Sequence, residues 1–224
     1  MVFLSPEKLA KGKTDTLFGP VFGDLEPVYC GLDEAGRGPW AGPVVACALV
    51  FKNKNLRLPG VKDSKKLSAQ KREELYQKIA RAAHFGIGRA EAAEIDKFGL
   101  LKTTKLAYER ALEELVEQME KGEQKNYPLF LLIDGRDKFN LPHPAVSVIK
   151  GDEKVKIIAC ASIMAKVERD RIMREMAGIY PGYGFELHKG YGTALHQKAL
   201  AERGICREHR KTYRPIQHYT TSYF

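Results

Sequence analysis

Pro128-Leu129-Phe130-Leu131-Leu132-Ile133, "PLFLLI", runs apolar without a break and stops at Asp134-Gly135. A half-exposed strand would alternate apolar with polar residues, so this run fits a strand covered on both faces. Such a strand needs a layer on each side, and the flanking sequence supplies helices. Upstream, Glu91–Lys121 has helical spacing, broken near Phe98-Gly99, with Ala107, Ala111, Leu115 and Met119 along one stripe. Downstream, Ile157–Tyr180 predicts a long helix with Met164, Val167, Ile172 and Met176 on its inner side. Further out, Val28–Asp33, Gly42–Phe51, "HFGIGRA" at 84–90 and Val146–Ile149 predict four more strands. Ser68 is placed to cap a helix through about Ala83, in which Leu75 and Ile79 share a face. Thr193 is placed to cap a last helix ending near Gly204, and the Gly- and Tyr-rich Tyr180–Thr193 reads as a loop. Strands alternating with helices indicate an α/β fold with a mixed sheet flanked by helices. Residues 1–27 lack clean periodicity and read as an N-terminal arm. Residues 28–224 read as one domain, with no internal repeat and no linker.

Composition narrows the function. A chain of 224 residues that is 44% hydrophobic can build one substantial core. Its formal net charge of +9 favours a polyanionic partner such as nucleic acid, although a solvated basic surface gives the same sum. Cys30, Cys47, Cys160 and Cys206 are far apart and form no C-x-x-C, which argues against a zinc site or a disulfide framework. The N-terminal apolar run is too short for a secretory signal, and no segment approaches the length of a membrane span. The expectation is a cytoplasmic protein with no membrane partner.

Strands also end in acid at three places: Asp33-Glu34, Asp134 and Asp152. In an open α/β sheet, groups beyond the strand ends gather in one crevice. Taken singly, an acid at a strand end is more often a turn residue. Taken together, clustered carboxylates repel unless one is protonated or a cation sits among them. Oxygen ligands without nearby Cys or paired His suit Mg²⁺ or Mn²⁺ better than Zn²⁺. Two such ions can activate water and stabilise the leaving oxygen of a phosphodiester. Nucleotide-binding motifs fail. "GRGPWAG" at 36–42 puts its third Gly one place late for G-x-G-x-x-G, and Gly12-Lys13-Thr14 lacks the earlier P-loop Gly, because Glu7 stands there. A nucleic-acid binder without chemistry would have no need of the acid set.

The stretch "LDEAGRGPWAGPVV" at 32–45 makes the reading specific: the chain resembles type 2 ribonuclease H, the bacterial ribonuclease HII family. The resemblance extends from about Val28 to Pro215 through "DSKKLS", "LLIDG", "VIKGDEK", "ASIMAKVERDR", "YPGYGFELHKGYGT" and "HRKTYRP". It implies a ribonuclease H-like mixed sheet with flanking helices and a helical C-terminal part. It implies an endoribonuclease that uses Mg²⁺ or Mn²⁺, cleaves RNA in RNA–DNA hybrids, and nicks duplex DNA at embedded ribonucleotides, leaving 3′-hydroxyl and 5′-phosphate ends. The four acidic positions of the family match Asp33, Glu34, Asp134 and Asp152. Asp170 competes for the fourth place but reads better as a helix ion-pair partner. The related type 3 enzymes usually carry a long N-terminal domain and a Glu at that place, so Asp152 and the short arm favour type 2.

The same resemblance implies that Gly36, Arg37 and Gly38 form a loop contacting the ribose 2′-hydroxyl. Tyr191 would pack on that ribose, and Lys65 would lie near the scissile phosphate. Lys62 and Lys66 read as solvated or nonspecific phosphate contacts, His188 and Arg210 as candidate substrate or supporting groups, and Trp40 as packing. A monomer is expected. At the C-terminus, Gln217, Tyr223 and Phe224 resemble a sliding-clamp peptide, with Thr220 where that pattern has an aliphatic residue. A tail folded back on the body accounts for the same aromatics.

Overall fold

The computed structural model describes residues 27–53, 58–61, 67–121 and 128–220. Five strands form one sheet: β1 (Val28–Ala35), β2 (Val44–Phe51), β3 (Ala83–Ala90), β4 (Leu129–Asp134) and β5 (Ala145–Val148). Their order is β3-β2-β1-β4-β5. β1, β2 and β3 pair antiparallel, whereas β4 runs parallel to both β1 and β5. The mixed α/β sheet with flanking helices is the architecture the sequence predicts.

β4 explains why its sequence is apolar throughout. Leu129, Leu131 and Ile133 enter one core, while Phe130 and Leu132 enter the other. The first core is closed by α2 (Ala92–Phe98) and α3 (Leu100–Glu120), whose Ala107, Ala111, Leu115 and Met119 are all buried. Gly99, at φ 78°, separates the two helices where the sequence predicts a break. The opposite core is closed by α1 (Ala69–Ala82), capped by Ser68, and by α5 (Lys156–Ile179). Between β5 and α5 lies a single turn, α4 (Gly151–Lys154). The helical C-terminal part consists of α6 (Phe185–His188), α7 (Ala194–Arg203), capped by Thr193, and α8 (Arg214–Thr220).

Several boundaries differ from the sequence expectation: β2 begins at Val44 rather than Gly42, β5 runs Ala145–Val148 rather than Val146–Ile149, and α8 follows the helix capped by Thr193. β1 continues past Asp33 to Ala35, because Glu34 and Ala35 still pair with Ala46 and Val45. Asp152 lies in α4 rather than directly on a strand end, since Lys150 adopts a left-handed conformation that turns the chain into the helix. The Tyr180–Thr193 segment contains the turn α6. Residues 1–26, Lys62, Lys65, Lys66 and residues 221–224 lie outside the described residues.

Helix α3 reaches the sheet through missing side chains. A Cβ on Gly88 would sit 1.8 Å from the carbonyl oxygen of Ala107, and one on Gly86 would sit 2.1 Å from that of Ala111. Gly88→Ala must therefore push α3 outward, and it is expected to destabilise the protein by about 1–3 kcal/mol. Chemical denaturation should show a lower midpoint; an unchanged midpoint would mean that the helix does not rest on β3.

Candidate active site

β1 and β4 are parallel neighbours with Leu32 opposite Ile133, so the next residues, Asp33 and Asp134, emerge side by side. Both point to the α5 face, because alternate residues before them do so. Gly31 lets α5 approach: a Cβ there would lie 2.7 Å from the backbone of Ile157. One turn further along that helix, the Ser162 hydroxyl hydrogen-bonds Asp33. Asp134 in turn organises α4. Its Oδ1 accepts from the amides of Gly151 at 2.6 Å and Asp152 at 3.3 Å, so it caps that turn and brings Asp152 alongside.

The result is a cluster in which Asp33, Asp134 and Asp152 each present a carboxylate oxygen within 4.8 Å of the others. Asp33 and Asp152 are only 5% and 7% exposed. Burial, followed by the charges of Glu34 and Asp134, pushes the Asp33 carboxyl well above the usual range. The group is thus held where its anionic form is unfavourable without a cation. Three hard oxygen donors, with no sulfur or imidazole among them, fit Mg²⁺ or Mn²⁺.

Glu34 stands apart from that trio. As the next residue on the same strand it faces the α3 side, where Tyr108 donates a hydrogen bond to its Oε2. Arg37 Nη1 contacts its Oε1 at 3.3 Å, and Arg37 Nη2 also pairs with Asp137 at 2.8 Å. Burial raises the Glu34 carboxyl, while Tyr108 and Arg37 pull it back down. Asp170, as expected, is an ion-pair partner: Lys166 lies at 2.6 Å and Arg72 at 3.7 Å.

Gly36, Arg37 and Gly38 continue directly from β1. A Cβ on Gly38 would lie 3.7 Å from the ring of Tyr191, so the loop and the tyrosine, 47% exposed, face each other. Trp40 packs: its indole lies over Gly192, and its amide donates to Gly190 O at 2.8 Å. Arg210 and His188 are buried, which places them in supporting positions. Arg210 donates to the carbonyls of Gly36, Arg37 and Gly42, and to the Tyr213 hydroxyl. Arg169 joins the two loops by donating to Ala41 O, Pro43 O and Lys189 O at 3.0–3.2 Å.

Sequence reasoning does not single out Tyr108, Ser162, Arg169 or His196. Arg169 leaves a readable trace: it falls four residues before Met173, on the apolar stripe of α5, where an unpaired charge would be costly. Arg210→Lys removes the planar fork that reaches several carbonyls at once. It is expected to lower kcat/KM on a ribonucleotide-containing duplex by roughly tenfold, with the melting temperature also reduced; wild-type kinetics would show that the loop holds without the arginine.

The sequence pattern of the Ribonuclease HII family matches residues 30–221. The chain belongs to the ribonuclease HII family. The ribonuclease HII of Geotalea uraniireducens is 47% identical over 193 residues, covering 86% of this chain and 85% of that protein. That of Coxiella burnetii is 43% identical over 204 residues, covering 91% of this chain and 95% of that one. Among solved structures, the PCNA:RNase HII complex from Archaeoglobus fulgidus matches with a TM-score of 0.66 at 27% identity, covering 83% of this chain and 95% of that chain. As a ribonuclease HII the chain is a hydrolase of the ribonuclease H type, the class that cuts RNA paired with DNA. Among the described residues, no helix is long and apolar enough to cross a membrane.

Proposed function

We propose that this ribonuclease HII is a metal-dependent endoribonuclease that cleaves RNA in RNA–DNA hybrids and nicks duplex DNA on the 5′ side of a single embedded ribonucleotide. The observation that carries the single-ribonucleotide part is the meeting of Gly38, on the loop that leaves the end of β1, with Tyr191, on the segment that follows α6. A glycine admits a sugar close to the backbone, and a tyrosine beside it can both pack on a ribose and bond its 2′-hydroxyl, the group that separates RNA from DNA. One such reader suffices for one ribonucleotide.

Asp33, Asp134 and Asp152 would hold Mg²⁺ or Mn²⁺, with Glu34 completing the set from the other side of β1. When bound, the divalent cations supply an activated water and stabilise the charge on the leaving oxygen. Tyr191 and the Gly36-Arg37-Gly38 loop orient the ribonucleotide. Lys65 is assigned to the scissile phosphate through the family motif alone. Water adds to phosphorus and the 3′-oxygen departs, leaving 3′-hydroxyl and 5′-phosphate ends. The role that follows is removal of ribonucleotides from DNA during replication and repair.

The test compares a duplex containing one ribonucleotide with the same duplex in all-DNA form, with and without Mg²⁺ or Mn²⁺. A single metal-dependent nick 5′ of the ribonucleotide is expected. Cutting only within runs of several ribonucleotides would remove the single-residue reading, and an intact hybrid with both metals would remove the enzyme reading.

A sliding clamp is a partner to test, because the Archaeoglobus protein is in complex with PCNA. Here Gln217 lies in α8 and its amide donates to Thr212 O at 3.3 Å, a contact that clamp binding would have to release. A pull-down against the organism's own clamp, with and without residues 218–224, decides between a clamp peptide and a tail docked on the body.

A further inference from the structure

Three buried histidines lie beneath the Tyr191 loop, far along the chain from every carboxylate of the metal cluster: His188, His196 and His209 are 8%, 0% and 1% exposed. Their hydrogen bonds fix their tautomers. The Cys206 amide donates to His209 Nδ1 at 2.9 Å, nearer than the Cys206 carbonyl oxygen at 3.3 Å, and the proton of that ring is assigned to Nε2. His209 Nε2 lies 3.0 Å from His196 Nε2 and must donate to it. The proton of His196 is then on Nδ1, 3.0 Å from the carbonyl oxygen of Tyr191. The chain therefore runs in one direction, from the Cys206 amide through two neutral imidazoles to the backbone of the tyrosine.

Packing leaves His196 little freedom. His188 stacks on it with centroids 4.3 Å apart, and Trp40 lies against it at 5.8 Å. His188 is fixed as well, accepting from the Gly190 amide at 3.1 Å and lying 2.8 Å from Tyr183 O. Burial first, then neighbouring histidine charge, lowers His196 and His209 to about 4, so both stay neutral at physiological pH. The titratable groups packed against the pair are His188 and Tyr183, whose ring lies 5.3 Å from that of His209, with Glu186 and Lys189 beside His188.

The two rings are joined in series and end on the backbone of the Gly190-Tyr191 turn, with His196 Nδ1 3.0 Å from the carbonyl oxygen of Tyr191, the residue facing Gly38. We propose that His196 and His209 are positioning residues that hold Tyr191 against the Gly38 loop, and thereby set how well a ribose is gripped. The proposal rests on the reading of Tyr191 as the ribose contact.

The test is a double-mutant cycle on the one-ribonucleotide duplex. His209→Leu should lower kcat/KM roughly tenfold. His209→Gln, whose amide can still donate toward His196, should recover most of that loss. In a Tyr191→Ala background His209→Leu should add nothing, whereas a purely structural role would add the same loss again. A normal rate for His209→Leu, or an undiminished loss in the Tyr191→Ala background, overturns the proposal. If Tyr191→Ala itself cuts normally, the ribose reading fails and takes the proposal with it. Should His209→Leu not fold, ring-nitrogen NMR of the wild-type protein decides. His209 protonated on Nε2 and His196 on Nδ1 is expected; the opposite tautomer in either ring overturns the chain.

Discussion

Asp134→Asn is expected to reduce hydrolysis by about a thousandfold, the loss that follows when several kcal/mol of charge stabilisation leaves a phosphodiester transition state. Binding of an RNA–DNA hybrid should survive. Asparagine suits the experiment because its Oδ1 can still accept from the Gly151 and Asp152 amides, the bonds that hold α4 in place. What it removes is one of three anionic oxygens drawn together within 4.8 Å. A hybrid-cleavage assay run beside a binding assay separates the two effects. Activity within tenfold of wild type would remove Asp134 from the chemistry, and loss of binding together with activity would mean that the fold of the site, rather than its charge, had been destroyed.

Asp33→Asn should move stability in the opposite direction from activity. The carboxyl of Asp33 titrates above its unfolded value because it is buried beside other acids. Between the two values the folded protein holds the proton more tightly than the unfolded chain, so stability falls as pH rises through that window. At neutral pH, above the unfolded value, the metal-free protein therefore bears a cost at Asp33, either as a buried charge or as a proton taken up on folding. Replacing it with a neutral amide of the same shape should stabilise the metal-free protein by about 2 kcal/mol, or roughly 4–8 °C for a chain of this size. A divalent cation should raise the melting temperature of the wild type, because it binds only the folded state, and should do little for the variant. Thermal melts with and without Mg²⁺ or Mn²⁺ check both statements. A variant less stable than the wild type in the absence of metal would contradict the electrostatic account.

The sequence reveals most where one signal repeats. The unbroken apolar run of β4 implies two covering layers, and Leu131 and Phe130 do enter separate cores. Ser68 and Thr193 announce their helices because each side chain accepts from the amide three residues on. The acids are legible as a set because they recur at strand ends, but their division is not. Whether Glu34 joins Asp33 or faces α3 depends on how far β1 extends, and pairing with β2 decides that. The buried arginines and the histidine chain are harder to read, since apart from the pairing of His196 with His209 and of Arg210 with Tyr213 their partners are backbone groups, which any residue provides. Arg210 reaches Gly36 across 174 positions, a contact with no residue type to betray it.

Helix α5 acts as a measuring rod. Ser162 reaches Asp33 and Arg169 reaches the two loops, and the seven steps from one to the other span about two turns, or roughly 10 Å. Seven steps bring both side chains to nearly the same face of the rod. Adding or deleting one residue between them would swing Arg169 around the helix axis by about 100° while Ser162 stayed in place. Substitutions in this interval can change its chemistry, but a change in its length would put the carboxylate cluster and the two loops out of phase.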